Sequence, residues 1–533
     1  MAKVFTAPRN EVLIIVPPNS NTVIEGSPLT VTRPEEHSDW SDYLSLGALG
    51  MVCALRSIPE IRSLYVDGTV IGLDKILSYI TDNSHRILAV CAGVLTANYE
   101  AGLLIFRHAK SVDPAIQTVI GNDHFTARPK QCMLRAGCID FGFFGNEVVG
   151  PFVALIRDLY YRRFISPGAY PSLATRNGDD TIHMAQPRPE PVFSQYDYRL
   201  TDCIFDHTSL YRDGFQRRVA PRIKELLGRK VQAGVPIDIG RGCIKFAKND
   251  ACSFCSIQYG GMWKNSLSPK DAWMAIECAW RNGYDYLYIT ADELPLTFVS
   301  LLTAMSHSKP GWWLSLSADE RPFLVGYARA DGIADCRKTR LLLDLGIRQV
   351  MIGMDAGSPI SLAALNKPLR TRRDDYMRAA ESLFDQNVAA LHTARDEGLL
   401  IRAGFVLGHI GMTRELLKEN VEMIMTLLYT GRDVISAIDI EVLSPDAGSL
   451  DFNYLTTPTA ARSAAEALGL RVSDDSVLER VAANWRDQDV VPPELTMRDF
   501  TAAFMPDVPF SEIAEARAAI RAFAKQCGIV IGE

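Results

Sequence analysis

Three cysteines lie close together in the middle of the chain, at Cys243, Cys252 and Cys255. Thiolates bind iron and zinc well, so three of them on one short segment suit a metal centre. A structural zinc site needs four ligands, and the next cysteine along the chain is Cys278, in a helix-like segment with no histidine nearby. Three cysteines on an iron-sulfur cube would leave one iron open to chelate another molecule. A zinc loop completed by a distant residue, or three unrelated thiols, are the alternatives.

The bulk composition is typical of a packed protein with several domains. The chain has 533 residues, of which 47% are apolar and 22% charged, and this length exceeds one ordinary core. A net charge of −7 provides no broad basic surface for nucleic acid or an anionic membrane. The 11 cysteines are scattered and odd in number, which does not suggest a disulfide framework. With no signal peptide and no membrane-spanning apolar run, we expect a cytoplasmic protein that acts on a small-molecule or peptide substrate.

The first 160 residues alternate short apolar runs with helix-length segments such as 97–110. This pattern predicts an α/β fold, a doubly wound parallel sheet with helices on both faces. The predicted strands are Val12–Val16, Ser63–Val66, Arg86–Cys91, Gln117–Ile120 and Ile139–Phe144. Prolines and glycines then break the pattern between about 165 and 232, which indicates an irregular connection.

The alternation resumes at residue 233 and predicts a partial (β/α)6 barrel. Ser268 and Pro269 are typical of a helix start, as the N-cap and the first helical residue. The predicted strands are 236–239, 284–290, 312–317, 349–354, 401–407 and 434–440. The predicted domains are 1–164 (doubly wound), 165–232 (linker), 233–450 (barrel) and 451–533 (a helical C-terminal region).

The cysteine segment resembles that of the radical S-adenosylmethionine superfamily. It keeps the two-residue gap before Cys255 and the aromatic Phe254, although its first gap is eight residues instead of the usual three. Later segments, at 288–293, 328–331, 346–358 and 365–367, are also similar to superfamily motifs, and each follows or ends a predicted strand, where parallel α/β folds build their sites.

This resemblance implies that Cys243, Cys252 and Cys255 are the catalytic, metal-ligating residues of a 4Fe-4S cluster. Either Asp292 or Glu293 would meet the methionyl ammonium of S-adenosylmethionine, and Asp355 would meet its ribose. The full set of residues that the resemblance assigns to S-adenosylmethionine is Phe254, Asp292, Glu293, Ser317, Asp355, Ser358 and Lys367.

The N-terminal domain resembles the cobalamin-binding domain that precedes many radical S-adenosylmethionine barrels. The similarity lies in segments 16–19, 46–50, 119–129 and 144–147. The residues that it assigns to cobalamin are Asp67, Thr69, Cys91, Thr96, Gly121, Asn122 and Gly145.

Three places depart from the usual cobalamin-binding motifs. A glycine is usual where Asn122 stands, and a Gly-Glu pair is usual where Gly145 and Asn146 stand. Thr69 replaces the histidine that classical domains place below cobalt. The resemblance therefore implies a histidine-off cobalamin, with His124 in an indirect role.

Together the two resemblances imply a class B radical S-adenosylmethionine methyltransferase. Methylcobalamin would supply a methyl group to an unactivated carbon, or to a phosphinate phosphorus, of a specialised metabolite or peptide. Flavodoxin or ferredoxin would be the electron donor. From their position after the barrel alone, we hypothesise that residues 451–533 close over the barrel mouth and recognise the substrate. The alternatives are a cobalamin-binding enzyme of rearrangement or cyclisation without methyl transfer, and a cobalamin-binding scaffold whose cluster loop has lost its function. Nucleic acid and membranes are not expected partners.

Overall fold

A computed structural model describes residues 9–21, 30–31, 43–166, 168–176, 181–188, 190–201, 203–248, 250–257, 263–369 and 376–532. These residues form two compact units that divide between Val219 and Ala220. Across the described ranges, no helix has both the length and the hydropathy required to cross a bilayer.

The first unit is built on a seven-stranded sheet with the strand order β4-β1-β5-β6-β7-β8-β9. Neighbouring strands from β4 to β7 are parallel, whereas β8 and β9 join as antiparallel strands. Strands β2 and β3 form a separate antiparallel pair. The strands are β1 (Glu11–Val16), β2 (Ser20–Asn21), β3 (Thr30–Val31), β4 (Arg62–Asp67), β5 (Ile87–Gly93), β6 (Gln117–Gly121), β7 (Phe141–Phe143), β8 (Leu173–Arg176) and β9 (Ile182–Met184).

The parallel part of this sheet has the flavodoxin-like order, in which the connections reverse direction between β1 and β5. Strands covered on both faces read as continuous apolar runs, and Val12, Leu13, Ile14 and Ile15 in β1 are all buried. The predicted doubly wound fold is therefore confirmed. The helices are α1 (Leu46–Leu55), α2 (Gly68–Ile71), α3 (Leu73–Asn83), α4 (Tyr99–Val112), α5 (Asp123–Ala127), α6 (Pro129–Arg135), α7 (Val149–Tyr160) and α8 (His207–Arg218).

The second unit has a parallel sheet whose strands follow the order of the chain, β10-β13-β14-β15-β16-β17-β18. Strands β11 and β12 form a short antiparallel hairpin beside it. The strands are β10 (Gly234–Ile237), β11 (Gly240–Gly242), β12 (Lys264–Ser266), β13 (Tyr286–Ile289), β14 (Phe323–Ala328), β15 (Ile347–Asp355), β16 (Leu400–Leu407), β17 (Ile435–Val442) and β18 (Val530–Ile531).

Helices alternate with the strands from β10 to β17, which confirms the predicted partial barrel of six strands. The C-terminal region is mainly helical, also as predicted. The helices are α9 (Ala220–Leu227), α10 (Pro269–Arg281), α11 (Val299–His307), α12 (Gly311–Ser315), α13 (Ala330–Ile333), α14 (Cys336–Asp344), α15 (Pro359–Ala364), α16 (Tyr376–Glu397), α17 (Arg414–Thr430), α18 (Leu450–Thr456), α19 (Pro458–Glu466), α20 (Asp475–Trp485), α21 (Pro493–Phe504) and α22 (Phe510–Gln526).

The predicted strand at 312–317 is wrong, because these residues form helix α12 and the turn after it. The third barrel strand is β14 instead. Aromatic residues favour strands, but Pro310 precedes a helical turn here, and Trp313 packs on Trp273 of α10 with a ring-centroid distance of 5.0 Å. Strand β18 was not predicted, since it has only two residues and depends on pairing with β17.

Candidate active site

The cysteine loop, residues 243–257, begins at the carboxyl end of the first barrel strand. The β11-β12 hairpin holds its base, and Cys243 follows β11 directly. Gly242 has a φ of 138°, and a Cβ there would collide with the carbonyl oxygen of Trp263, so only glycine fits. The N–H of Gly242 donates to Asp292 Oδ2 at 2.7 Å, which joins the cysteine loop to the end of β13.

A buried lysine organises the eight-residue gap between the first two cysteines. Lys245 is only 1% exposed, and its Nζ donates to Asp250 Oδ2 at 2.9 Å and to the carbonyl oxygen of Pro368 at 2.8 Å. Asn366 Nδ2 donates to the other Asp250 oxygen at 2.9 Å and to the Ala251 carbonyl at 2.6 Å. Hydrogen bonds with residues 366–368, which follow α15, therefore stabilise the eight-residue gap of the cysteine loop.

Two further buried ion pairs lie beside this one. Arg329 forms an ion pair with Asp331 at 3.0 Å, and its Nη1 donates to the carbonyl oxygen of Lys367 at 3.1 Å. Lys367 in turn forms an ion pair with Asp355. Asp355 has a φ of 60° at a register shift between β15 and β16, and Gly353 provides the space that the pair needs.

Two of the three thiols have raised pKa values. Burial, together with the nearby Cys252, raises the pKa of Cys243 to about 11 and that of Cys255 to about 12. Burial lowers the pKa of Lys245, and Cys252 opposes that change. Such thiols ionise when they bind iron, and a buried cation then stabilises the thiolate.

The cations near Cys252 explain how the chain could hold an anionic group. Burial opposes the ionisation of Arg329 and Lys367, yet their carboxylate partners and Cys252 raise the pKa of both. No three His, Cys, Asp or Glu side chains of the described residues converge as a single-ion site. The cysteines of a 4Fe-4S cube each bind a different iron atom, so a cluster does not require the three thiols to meet at one ion.

The structure separates the two acids that were candidates for the methionyl ammonium. Glu293 is 1% exposed and accepts from the N–H groups of Leu296 and Thr297 and from the Thr297 hydroxyl, so it stabilises a turn. Burial raises the pKa of Glu293, although these hydrogen bonds act to lower it. Asp292 is partly exposed and accepts from the N–H of Gly242 at the base of the cysteine loop.

The other predicted S-adenosylmethionine residues fall in different places. Phe254 is partly exposed within the cysteine loop. Ser358 is fully buried and caps α15, where it accepts from the N–H of Ser361. Ser317 is not brought to the site, because it is exposed on the segment that leads into β14, at the opposite end of that strand from Arg329.

The C-terminal helices contact this edge of the barrel. The N–H of Asp451, in α18, donates to the carbonyl oxygen of Ser253 in the cysteine loop at 2.9 Å. The N–H of Gly411, in the loop after β16, donates to the Phe504 carbonyl at 2.8 Å. The region that follows the barrel therefore packs on its carboxyl-terminal edge.

In the first unit, three neighbouring strands end in or near a glycine. Gly93 ends β5, Gly121 ends β6, and Gly145 lies two residues after β7 with a φ of 88°. We call these strand ends the glycine edge, since the absence of side chains leaves room for a ligand beside the backbone. Asn122 has φ 77° and ψ −170°, a conformation that glycine adopts easily, which explains why the related motif has glycine here.

Asp67, at the end of β4, is held by hydrogen bonds. Its Oδ1 accepts from the N–H and hydroxyl of Thr69 at 2.8 and 2.6 Å, and its Oδ2 accepts from the Tyr211 hydroxyl. The backbone N–H of Asp67 donates to Nε2 of the buried His207 at 2.9 Å. Both ring nitrogens of His207 are engaged, since Nδ1 contacts the Phe205 carbonyl at 2.9 Å.

Thr96 and Cys91 lie near the point where the sheet connections reverse. Thr96 Oγ1 is 3.2 Å from Nδ1 of His124, a buried ring that stacks on Tyr99 at 4.2 Å. Cys91 is buried in β5, and burial raises its pKa. Sequence reasoning missed Asn98, whose Nδ2 donates to the Pro17 carbonyl at 3.2 Å and so joins the ends of β1 and β5.

Comparison with solved structures gives the chain the fold of cobalamin-dependent radical S-adenosylmethionine enzymes. The radical S-adenosylmethionine methyltransferase TsrM from Kitasatospora setae, solved with cobalamin and a 4Fe-4S cluster, has a TM-score of 0.57 and 16% identity over 85% of this chain and 79% of TsrM. The same enzyme with tryptophan substrate and an aza analogue of S-adenosylmethionine has a TM-score of 0.58 and 15% identity over 84% and 76%.

A second similar protein is OxsB, a cobalamin-dependent S-adenosylmethionine radical enzyme. Its TM-score is 0.53 and its identity 14%, over 78% of this chain and 51% of OxsB. No protein-family model matches the chain, and no curated protein sequence matches it significantly.

Proposed function

We propose that the chain is a cobalamin-dependent radical S-adenosylmethionine methyltransferase acting on a small-molecule or peptide substrate in specialised metabolism. The observation that carries this proposal is the cysteine loop, which lies at the carboxyl end of a six-stranded partial barrel beside three buried ion pairs. When bound, the cluster would supply an electron to S-adenosylmethionine, and cobalamin would carry the methyl group.

The residues of the second unit would bind and orient the cluster and S-adenosylmethionine. Cys243, Cys252 and Cys255 would ligate iron, and Lys245 keeps the long first gap in one conformation. Asp292 would accept from the methionyl ammonium. The contacts that the C-terminal helices make with this edge would help to exclude water.

The glycine edge of the first unit would receive cobalamin. Gly121, Asn122 and Gly145 would provide backbone beside the ligand, and Thr96 would contact it from a position set by His124. Thr69 donates its hydroxyl to Asp67 where classical domains have the histidine below cobalt, so we propose a histidine-off cobalamin. The domain boundaries, a cytoplasmic location and reduction by flavodoxin or ferredoxin stay predictions.

Trideuteromethyl-labelled S-adenosylmethionine tests the proposed reaction before the substrate is known. The anaerobically reconstituted protein would be incubated with the labelled compound and a reductant, and the cobalamin then extracted for mass spectrometry. Label on cobalamin supports methyl transfer. Release of 5'-deoxyadenosine without label on cobalamin favours rearrangement or cyclisation, and the absence of both contradicts a radical enzyme.

A further inference from the structure

One face of β16 is partly exposed. Its residues alternate between buried and partly exposed, and the partly exposed positions include Arg402, Gly404 and Val406. Successive side chains of a strand point to opposite faces, so these three share one face, which we call the inner face of the barrel. Asp439 of β17 pairs in register with Gly404 and is also partly exposed.

A row of glycines crosses the inner face. Gly353 of β15 pairs with Gly404, which pairs with Asp439. Ile531 pairs with Ile438, so the next residue along the chain, Gly532, lies beside Asp439. Three of the four positions in this row therefore lack a side chain.

Ion pairs lie over the two outer glycines, and the middle one is bare. A Cβ on Gly353 would come within 2.8 Å of Asp355 and 2.9 Å of Lys367. One on Gly532 would collide with Asp439 and lie 2.6 Å from Arg402.

A Cβ on Gly404 would meet no atom closer than 3.7 Å, at the Ile352 carbonyl oxygen. We call the space over Gly404 the Gly404 gap. It lies between the Asp355–Lys367 pair, which belongs to the candidate S-adenosylmethionine site, and the Arg402–Asp439 pair.

The charged and aromatic groups near the Gly404 gap are the Arg402–Asp439 pair and two tyrosines. Arg402 Nε and Nη2 donate to the two Asp439 oxygens at 2.5 and 2.6 Å, with side-chain exposures of 13% and 33%. The Tyr288 and Tyr327 rings meet edge to face at 5.5 Å. Tyr327 of β14 pairs in register with Met351 of β15, and Met351 pairs with Arg402. Tyr327 therefore lies on the same face of the sheet as Arg402, two strands away.

We propose that the Gly404 gap is the substrate site and that it takes an aromatic α-amino acid. The ring would lie over Gly404 and against Tyr327, the ammonium would approach Asp439, and the carboxylate would approach Arg402. A neutral ion pair complements a neutral zwitterion without leaving an unpaired buried charge, and tyrosine rings favour aromatic ligands. This inference rests on the proposed function, since it uses the assignment of Asp355 and Lys367 to S-adenosylmethionine.

The test is calorimetric binding to the full-length reconstituted protein with L-tryptophan as the probe. Tryptamine lacks the carboxylate and indole-3-propionate lacks the ammonium, so each should bind at least tenfold more weakly than L-tryptophan. Gly404→Val should weaken L-tryptophan at least tenfold with an unchanged thermal midpoint, because its Cβ meets no close atom and valine suits a strand. Gly404→Ala is the milder variant if valine prevents folding.

Asp439→Asn gives an independent check on orientation. It should weaken L-tryptophan and tryptamine but not indole-3-propionate. Equal binding of the three probes, no binding of L-tryptophan, or unaltered binding to both Gly404 variants would overturn the assignment. Failure of the proposed function is distinguishable, since it would show as missing label on cobalamin while L-tryptophan still binds.

Discussion

The cysteine loop of the second unit and the glycine edge of the first are built from opposite kinds of residue. The cysteine loop lies among three buried ion pairs, each of which carries a desolvation penalty that its Coulomb attraction must offset. The glycine edge is formed by bare backbone, and Thr96, which neighbours it, contacts a histidine ring instead of a charge. Charged pairs of this kind suit a small anionic cluster, whereas bare backbone suits a large ligand that needs space.

The largest effect should come from removing a cluster ligand. Cys252→Ala should abolish the cluster absorbance and the 5'-deoxyadenosine released from S-adenosylmethionine, because the buried Cys252 would be one of the three iron ligands. Iron analysis and chromatography measure both. The matched control is Cys336→Ala, an exposed cysteine at the start of α14. Retention of a full cluster in Cys252→Ala would mean that the cysteine loop does not hold a cluster through Cys252. The contrast drawn between the cysteine loop and the glycine edge would then fail.

Lys245→Met tests whether the ion pairs stabilise the cysteine loop. Loss of one partner leaves Asp250 without its buried cation, so we expect the free energy of unfolding to fall by about 3–5 kcal/mol. Urea unfolding followed by tryptophan fluorescence suits this test, since six of the seven tryptophans lie between 263 and 485. The control is Lys338→Met, whose ion pair with Asp335 is more exposed. This substitution should lower the free energy of unfolding by only about 0–1 kcal/mol. Equal effects would contradict the account.

The pH dependence of the second unit should include a contribution from Asp451. Burial raises its pKa to about 7, with the Ser253 hydroxyl opposing, above the unfolded value of about 3.9. Because the folded state holds the proton more tightly, the stabilisation is complete below about pH 4 and is lost as pH rises through 7, a change on the order of 4 kcal/mol.

Urea titrations of the cluster-free protein at several pH values measure this effect. Asp451→Asn should flatten the profile, and Asp487→Asn, at an exposed position, should not. Asp446, whose pKa burial raises to about 6, should contribute in the same direction. A profile that keeps its slope in Asp451→Asn would show that this carboxyl is not the cause.

The smallest effect should come from the glycine edge. Asn122 adopts a backbone conformation that costs a non-glycine residue about 1–3 kcal/mol, so Asn122→Gly should stabilise the first unit by up to about 1 kcal/mol after the entropy of glycine is subtracted. Asn122→Ala should destabilise it. Circular dichroism melts of the three proteins provide the comparison, and a lower midpoint for Asn122→Gly would contradict the strained geometry.

Several elements could be predicted because their signals are local. The strand Val12–Val16 carries a buried apolar run and ends before two prolines, and the structure places β1 at Glu11–Val16. Ser268 and Pro269 begin α10 as predicted, with the Ser268 hydroxyl accepting from the N–H of Asp271 at 3.2 Å. The cysteine spacing likewise indicated a loop at the end of the first barrel strand.

The rest depended on contacts between distant segments. Nothing in the sequence around Lys245 distinguishes a buried lysine from an exposed one, because its partner carbonyl belongs to Pro368. Asp292 and Glu293 were equivalent as candidates until the hydrogen bonds of Glu293 to Thr297 were seen. Ser317 ends the predicted strand 312–317, and this segment instead forms helix α12 and the residues after it, with Trp313 packed on Trp273.

The measurement that tests the central claim most directly is electron paramagnetic resonance, with absorption spectroscopy, of the anaerobically reconstituted protein after excess cobalamin has been removed. The account predicts a reduced 4Fe-4S signal together with retained cob(II)alamin whose spectrum lacks nitrogen coupling from a histidine ligand. A cluster without retained cobalamin would contradict the assignment of the glycine edge. Absence of the cluster from a folded protein would contradict the function proposed for the cysteine loop.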